Sequence, residues 1–382
     1  MDKFEIIVPT MFGMESFTAK EIRRLGYETT EVIDGRITFF GDWEAVCLAN
    51  LWIRTGERVL IKIAEFNAET FEELFENTKK IDWSDWLAKD AAFPVKGYSL
   101  KSKLASERDC QAIIKKAVAV SMSKSYGVNW LEETGPNYQI QFSVLKDKVT
   151  LMIDTTGVPL HKRGYRRNSN AAPLKETIAA AMVMLSYWRY DRPLADTFCG
   201  SGTIPIEAAM IARNIAPGLK RSFASDAFYQ MPKQMWTDAR EEAVEMQYRD
   251  KKVSIYASDI DKAAVELTEQ NARIAGVGDC VKVGQFSVEK FYTTAEYGTF
   301  ICNPPYGARM GELDEARKIY RMMGEKFRSF DTWSAYIITS DEQFEKAFGK
   351  RADKKRKIYN GMMKCNIYQY FGPKPPREPK NN

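Results

Sequence analysis

The sequence predicts two kinds of architecture in one chain: an α+β front portion and, from about residue 165, an α/β portion on a largely parallel sheet. Three observations carry that expectation. In the front portion short strands and helices follow one another with hairpin signals. Behind it, apolar strands alternate with helices, the pattern of βαβ units. At 382 residues, with 45% hydrophobic and 28% charged, the chain is long enough for two or three domains that each bury a core.

Composition narrows the class. No apolar run approaches the roughly eighteen residues of a membrane span, and "MDKFEIIVPT" lacks the basic-then-apolar pattern of a leader. The six cysteines, at 47, 110, 199, 280, 302 and 365, form no CxxC pair and no metal-ligand spacing. With His161 the one histidine, a structural zinc or a His-based triad is not expected. The expectation is a reduced cytoplasmic protein with neither membrane nor metal partner. Net charge is a mild +5, but the bases cluster. Lys96, Lys101, Lys103, Lys115 and Lys116 fall in one stretch; "HKRGYRRNSNAAPLK" carries Arg163, Arg166 and Arg167 without an acid; "KRADKKRKIY" is a third. One such cluster reads equally well as a solvated helix face, whereas three with aromatics interleaved favour nucleic acid.

Taken in order, "FEIIVPT" reads as a strand, "GMESFTAKEIRRLG" as a helix closed by Gly26, and "RITFFG" as a strand. "DWEAVCLANLWI" is a helix with Asp42 as N-cap, and "ERVLIKIAEF" returns as a strand. "TFEELFENTKKIDWSDWL" is helical, "FPVKGYSLKS" a turn, and "SERDCQAIIKKAVAVSMSKSYG" a helix from a Ser N-cap to Gly127. "YQIQFSVLKDKVTLMIDTTG" alternates apolar positions about "LKDK", a hairpin. Then come an apolar helix, "PLKETIAAAMVMLSYW", and four strands ending in "DTFCGSGT", "ASDID", "VGQFSV" and "ICNPPYG". The long interval 218–252 has no assigned role at this stage, and the tail reads as disordered.

Ligands of such sheets sit beyond the carboxyl ends of the strands, where the unusual residues fall. Gly200 and Gly202 let a backbone turn sharply and approach a ligand, although a lone Gly-x-Gly is also a mere tight turn. Asp259 suits two ribose hydroxyls, or an ordinary N-cap. "NPPY", 303–306, is stiffened by two prolines, which fix φ and restrict the residue before each. Together these motifs are much less ambiguous than any one alone.

The chain resembles the class I S-adenosylmethionine-dependent methyltransferases, whose amino-group branch carries (N/D)PP(Y/F). More closely it is similar to the THUMP-domain ribosomal RNA large-subunit methyltransferases that make N2-methylguanine. The likeness extends over nearly the whole chain, with "HKRGYRRNSNAAPLKETIAAAMV" as junction motif and "KCNIYQYF" as last strand. It implies a Rossmann-like, mostly parallel seven-stranded sheet over 161–375, a ferredoxin-like region over 1–65, a THUMP RNA-binding region over 66–160 and a tail over 376–382. It also implies S-adenosylmethionine as cofactor, with Asp196, Cys199, Gly200, Ser201, Gly202 and Thr203 about its methionine part. Asp259 would hold the ribose, Ile260 and Phe286 the adenine, and Lys175 and Glu176 the methionine tail. The basic residues named above would bind ribosomal RNA or a pre-ribosomal particle. Asn303 and the Pro304 carbonyl would accept the hydrogens of a base amine, Pro305 would stiffen the turn, and Tyr306 would stack on the extruded base. As the chain carries one such motif set, one activity is expected. An adenine-N6 DNA methyltransferase is the alternative reading of the same tetrapeptide, and a non-catalytic RNA-binding assembly factor a third.

Overall fold

The computed structural model describes residues 3–166, 174–306, 310–361 and 363–376. The chain divides into two compact units, one taking in residues 1–10, 18–160 and 221–242 and the other 11–17, 161–220 and 243–382.

The first unit is built on one seven-stranded sheet. In chain order its elements are β1 (Phe4–Pro9), α1 (Glu15–Arg24), β2 (Thr29–Ile33), β3 (Arg36–Gly41), α2 (Trp43–Trp52), β4 (Leu60–Asn67), α3 (Phe71–Lys79), β5 (Val95–Leu100), α4 (Glu107–Tyr126), β6 (Ile140–Leu145) and β7 (Lys148–Asp154). The strands are ordered β2-β3-β1-β4-β7-β6-β5. A domain boundary at 65/66 therefore falls inside β4, which pairs with β1 on one side and β7 on the other. Local chemistry explains most of the elements. Asp42 caps α2 by accepting from Ala45 N at 3.1 Å, Ser106 caps α4 through Asp109 N at 3.2 Å, and Gly127 ends α4 with φ 62°. The β6–β7 hairpin closes on Lys146 and Asp147, both at positive φ, as a two-residue turn matched to strand twist requires.

The segment "FPVKGYSLKS", expected as a turn, is instead strand β5, paired in parallel with β6 through the α4 crossover. Its Pro94 and Gly97 read as turn residues. Gly97, however, is needed in the strand because a Cβ there would meet the Phe142 carbonyl at 2.0 Å. The interval after residue 218 also gains an account, since 221–242 packs into this unit. Phe228 stacks on Tyr138 with ring centroids 3.8 Å apart, Ser225 donates to the Thr155 carbonyl at 2.9 Å, and Phe223 stacks on Trp236.

The second unit holds α5 (Glu176–Leu185), β8 (Leu194–Asp196), α6 (Thr203–Ala212), β9 (Ile255–Asp259), α8 (Lys262–Ala275), β10 (Val281–Gln285), β11 (Thr299–Cys302), α9 (Met310–Phe327), β12 (Ser334–Thr339), α10 (Phe344–Phe348), β13 (Lys354–Asn360) and β14 (Met363–Tyr370), α7 (Lys233–Glu245) lying between α6 and β9 in the chain. Strand order is β10-β9-β8-β11-β12-β14-β13, parallel except for β14. Alternation along β11 splits the core: Ile301 faces Ile178, Ile206 and Ala272 of α5, α6 and α8, while Phe300 and Cys302 face Tyr320, Phe327 and Phe344 of α9 and α10. The order reverses direction between β8 and β11. That switch point leaves a crevice at their carboxyl ends, where the expected motifs lie.

Candidate active site

A cavity of about 620 Å³ opens at this crevice. Lined by Asp196, Cys199, Gly200, Ser201, Thr203, Asp259, Ile260, Asn303, Pro304, Pro305 and Tyr306, with Leu174, Ser287 and Val288, it joins three motifs that are spread over more than a hundred residues of sequence. Its size suits a nucleoside-sized cofactor with room to spare.

The glycine loop is held from three sides. Cys199 N donates to the Ser258 carbonyl at 3.0 Å and Gly202 N to the Cys199 carbonyl at 2.7 Å. From α8, Thr268 donates to the Gly200 carbonyl at 3.0 Å and Asn271 to the Ser201 carbonyl at 2.9 Å. The two glycines serve different needs. A Cβ on Gly202, at φ 82°, would strike Thr268 at 2.9 Å, whereas one on Gly200, at φ 54°, would enter open space. Gly202 is required by packing and Gly200 by its left-handed conformation. Thr268 and Asn271 were not evident from sequence, since their role depends on α8 lying under a loop some seventy residues earlier.

Asp259 ends β9, and its carboxylate accepts Gly200 N at 3.0 Å and Asp261 N at 3.1 Å. The N-cap of α8 is Asp261, accepting Ala263 N at 2.9 Å. Asp259 is thus not spent on capping, which removes the ordinary alternative for it. Asp196, 1% exposed at the end of β8, accepts Phe198 N at 3.1 Å. Burial, with the Asp259 charge adding to it, pushes its carboxyl up to about 8. Cys199 is buried, and desolvation followed by the nearby Asp196 raises its thiol, which keeps it protonated at neutral pH. The residues fit the cofactor expected here: an acid for the ribose, an open face over Gly200 and the N-terminus of α6 beside it.

Asn303 follows β11 directly. Pro304 is buried, Pro305 exposed, and Tyr306 half-buried against the α5–α6 core, its hydroxyl donating to Asn303 Oδ1. Burial raises the Tyr306 phenol, so it stays a donor at neutral pH.

Other expected residues lie elsewhere. Phe286 turns away from the cavity to cover Gly284, leaving Ser287 and Val288 as lining. Glu176 is buried in an ion pair with Arg166 at 2.9 Å, and Lys175 precedes α5 as its N-cap residue; neither lines the cavity. Arg166 also donates to Thr203 Oγ1 at 3.1 Å. Arg163 is 2% exposed and pairs with the buried Glu207. Arg163 and Arg166, expected on an RNA surface, therefore serve as internal counter-ions, because each meets an acid that the acid-free local sequence did not reveal. Arg167 lies outside the described residues. In the first unit, Lys96 is exposed on edge strand β5 beside Tyr98 at 55% exposure, Lys101 is exposed just past the strand's end, and Lys116 is exposed on α4. Lys103 pairs with Glu69, and Lys115 with Glu133 over the Phe93 ring.

Comparison with known proteins identifies the family of the chain. Family descriptions match residues 163–369 as an RMKL-like methyltransferase domain, 5–60 as an RlmL ferredoxin-like domain and 68–154 as a THUMP domain. The "Putative RNA methyltransferase YpsC" of Bacillus subtilis (strain 168) is 46% identical over 382 residues, covering 100% of this chain and 99% of its own. The ribosomal RNA large subunit methyltransferase K/L of Syntrophotalea carbinolica is 32% identical over 96% of this chain, which spans about half (54%) of that protein's length. The crystal structure of SMU.472 complexed with SAH, the demethylated product of S-adenosylmethionine, is 41% identical with TM-score 0.93 over 98% of this chain and 100% of that one. A Listeria monocytogenes structure described as a predicted N6-adenine-specific DNA methylase is 48% identical with TM-score 0.93, over 98% and 97%. Matched end to end by a near relative, and over more than half its length by the methyltransferase domain, the chain belongs to the S-adenosylmethionine-dependent RNA methyltransferases of the ribosomal RNA large subunit K/L family.

Proposed function

We propose that this chain methylates the exocyclic N2 amine of a guanine in large-subunit ribosomal RNA, in the cytoplasm, on naked RNA or a ribosome precursor. The observation that carries the reading is the cavity joining the Gly200–Asp259 corner to the Asn303–Tyr306 turn. Bound at the corner, the cofactor supplies an electrophilic methyl on sulfur. The protein's part is placement. Asn303 Oδ1 and the Pro304 carbonyl accept the amine hydrogens, which localises a lone pair otherwise delocalised into the ring. The methylated amine is transiently cationic and acidic enough to shed its proton to water in the open cavity, so no strong base is called for. The exposed bases along β5 and α4 supply a docking surface for folded RNA.

At present the Asn303 acceptor is occupied by the Tyr306 hydroxyl. The oxygen has a second lone pair for an entering amine, and release of the hydroxyl frees the Tyr306 ring to stack on the base. Tyr306→Phe keeps the ring and removes the competing donor, so methyl transfer stays within about threefold of wild type. Tyr306→Ala loses stacking worth about 1–3 kcal/mol, a fall of roughly tenfold to a hundredfold. Equal losses in both variants would show that the hydroxyl, not the ring, is what matters.

The adenine-DNA reading draws on the shared tetrapeptide and on the description of the Listeria structure, and the RNA-type module that precedes the site in the sequence argues against it. Nucleoside analysis of a deletion strain decides. Loss of N2-methylguanosine from 23S RNA is the expected result, and loss of N6-methyladenine from DNA with intact ribosomal RNA overturns it.

A further inference from the structure

We infer that Tyr320, on helix α9, is a positioning residue for the reaction, acting through the carbonyl of Pro305. The inference rests on the reading that the Asn303–Tyr306 turn grips the base.

The backbone of that turn has few free torsions. The rings of Pro304 and Pro305 lock their own φ. Asn303 and Pro304 each precede a proline, which confines their ψ to the extended range. The torsion left soft is ψ of Pro305, and it decides where the Pro305 carbonyl points and, with it, where Tyr306 is aimed. That carbonyl accepts the Tyr320 hydroxyl at 2.7 Å. Tyr320 thereby fixes the soft backbone joint inside the Pro-Pro turn, the one that sets where the Tyr306 backbone starts.

The directions of the bonds follow by elimination. A carbonyl oxygen can only accept, so the single Tyr320 proton goes to Pro305. The 3.0 Å contact between the Tyr320 and Thr339 hydroxyls must then use the Thr339 proton. Thr339 Oγ1 in turn accepts the backbone N–H of Asp341 at 3.1 Å. The result is a one-way chain, Asp341 N–H to Thr339 to Tyr320 to Pro305, in which each bond polarises the next. Tyr320 and Thr339 are both 0% exposed, so water does not compete for either hydroxyl. The far end is clamped as well: Arg317, one turn before Tyr320 on α9, grips both Asp341 carboxylate oxygens at 2.9 and 3.1 Å. Burial raises the Tyr320 phenol to about 12, which keeps its proton in place across any working pH.

The test uses the full chain, S-adenosylmethionine, and ribosomal RNA from a strain lacking the protein. Tyr320→Phe removes the hydroxyl that fixes the joint and adds no bulk. We expect kcat to fall about tenfold to a hundredfold, the range for a small misplacement of reacting groups. KM for RNA and SAH affinity by calorimetry should stay within about twofold. Thr339→Val strips the second bond from Tyr320 and should lower kcat by a few-fold, while Thr339→Ser restores it. A purely structural role predicts the opposite pattern, with lowered Tm and unchanged kcat at temperatures well below it. Wild-type kcat in Tyr320→Phe beside an inactive Asn303→Ala overturns the inference alone. Turnover retained in Asn303→Ala overturns the gripping reading and this inference with it. Should Tyr320→Phe fail to fold, the Thr339→Val and Thr339→Ser pair decides by the same kcat readout.

Discussion

Asn303→Ala is expected to lower methyl transfer by about a thousandfold or more, with SAH affinity unchanged. Two physical facts set that size. Removing one preorganised hydrogen-bonding group aimed at developing charge costs about a hundredfold to a thousandfold by itself. On the proposed reading the same group also orients the nucleophile, so the geometric loss adds to the electrostatic one. Cofactor binding is spared because Gly200 and Asp259 are held by β9 and α8 and make no described bond to Asn303. The substitution leaves the Tyr306 hydroxyl without its Asn303 acceptor, but that ring is half-buried and water can reach the site through the cavity. Fold stability should change little, and thermal unfolding of the variant controls for it. Transfer of a labelled methyl group to deletion-strain ribosomal RNA, read beside SAH calorimetry, checks both halves. Turnover within tenfold of wild type would remove Asn303 from the chemistry. Asn303→Asp retains an acceptor and should recover part of the rate. It should not recover all, because the added charge sits in the same cavity as Asp196 and Asp259.

The site was legible in the sequence where its chemistry is local. A Gly-x-Gly after an apolar strand, an acid at the next strand end and an Asn-Pro-Pro-Tyr at the fourth each have a conformational reason readable from a few residues. The βαβ alternation then places all three at one edge of the sheet. What stayed hidden depends on partners far along the chain. Arg163 and Arg166 looked like surface bases because the stretch around them holds no acid, and their counter-ions arrive on α6 and α5. Phe286, expected as an adenine contact, lies with its ring over Gly284, a neighbour two residues away that sequence does not mark as its partner. The 221–242 segment was opaque because its aromatic partner Tyr138 lies about ninety residues upstream. Tyr320 carried no local signal at all: a tyrosine in an amphipathic helix is ordinary until the end of another strand meets its hydroxyl. Strand β5 was misread for a different reason, since the glycine demanded by a close backbone approach is indistinguishable in sequence from one demanded by a turn.

Asp196 gives the second large effect, and it is one of pH. Its carboxyl is buried beneath the cavity and raised to about 8, against 3.8 for the free group. Between those values the folded chain holds a proton that the unfolded chain has lost. Stability attributable to this group therefore falls as pH rises from about 4 to about 8, and is level outside that window. Asp196→Asn mimics the protonated form and removes the dependence. The variant should match wild type near pH 4.5 and exceed it at pH 8 by about 2 kcal/mol or more, a few degrees in Tm. Cofactor binding should respond in the opposite sense. If the methionine ammonium meets Asp196 as an ion pair, binding requires the ionised carboxylate and expels its proton. Wild-type SAH affinity then rises between pH 5.5 and 7.5, approaching tenfold per unit at the steepest. The Asp196→Asn variant binds more weakly and shows no such rise. Calorimetry in two buffers of different ionisation enthalpy counts the proton released in wild type and none in the variant. A variant no more stable at pH 8 would mean that the carboxyl is already ionised in the free protein and that the cavity floor is better solvated than its burial implies, whereas a flat binding profile beside a stabilised variant would mean that the cofactor does not pair with Asp196.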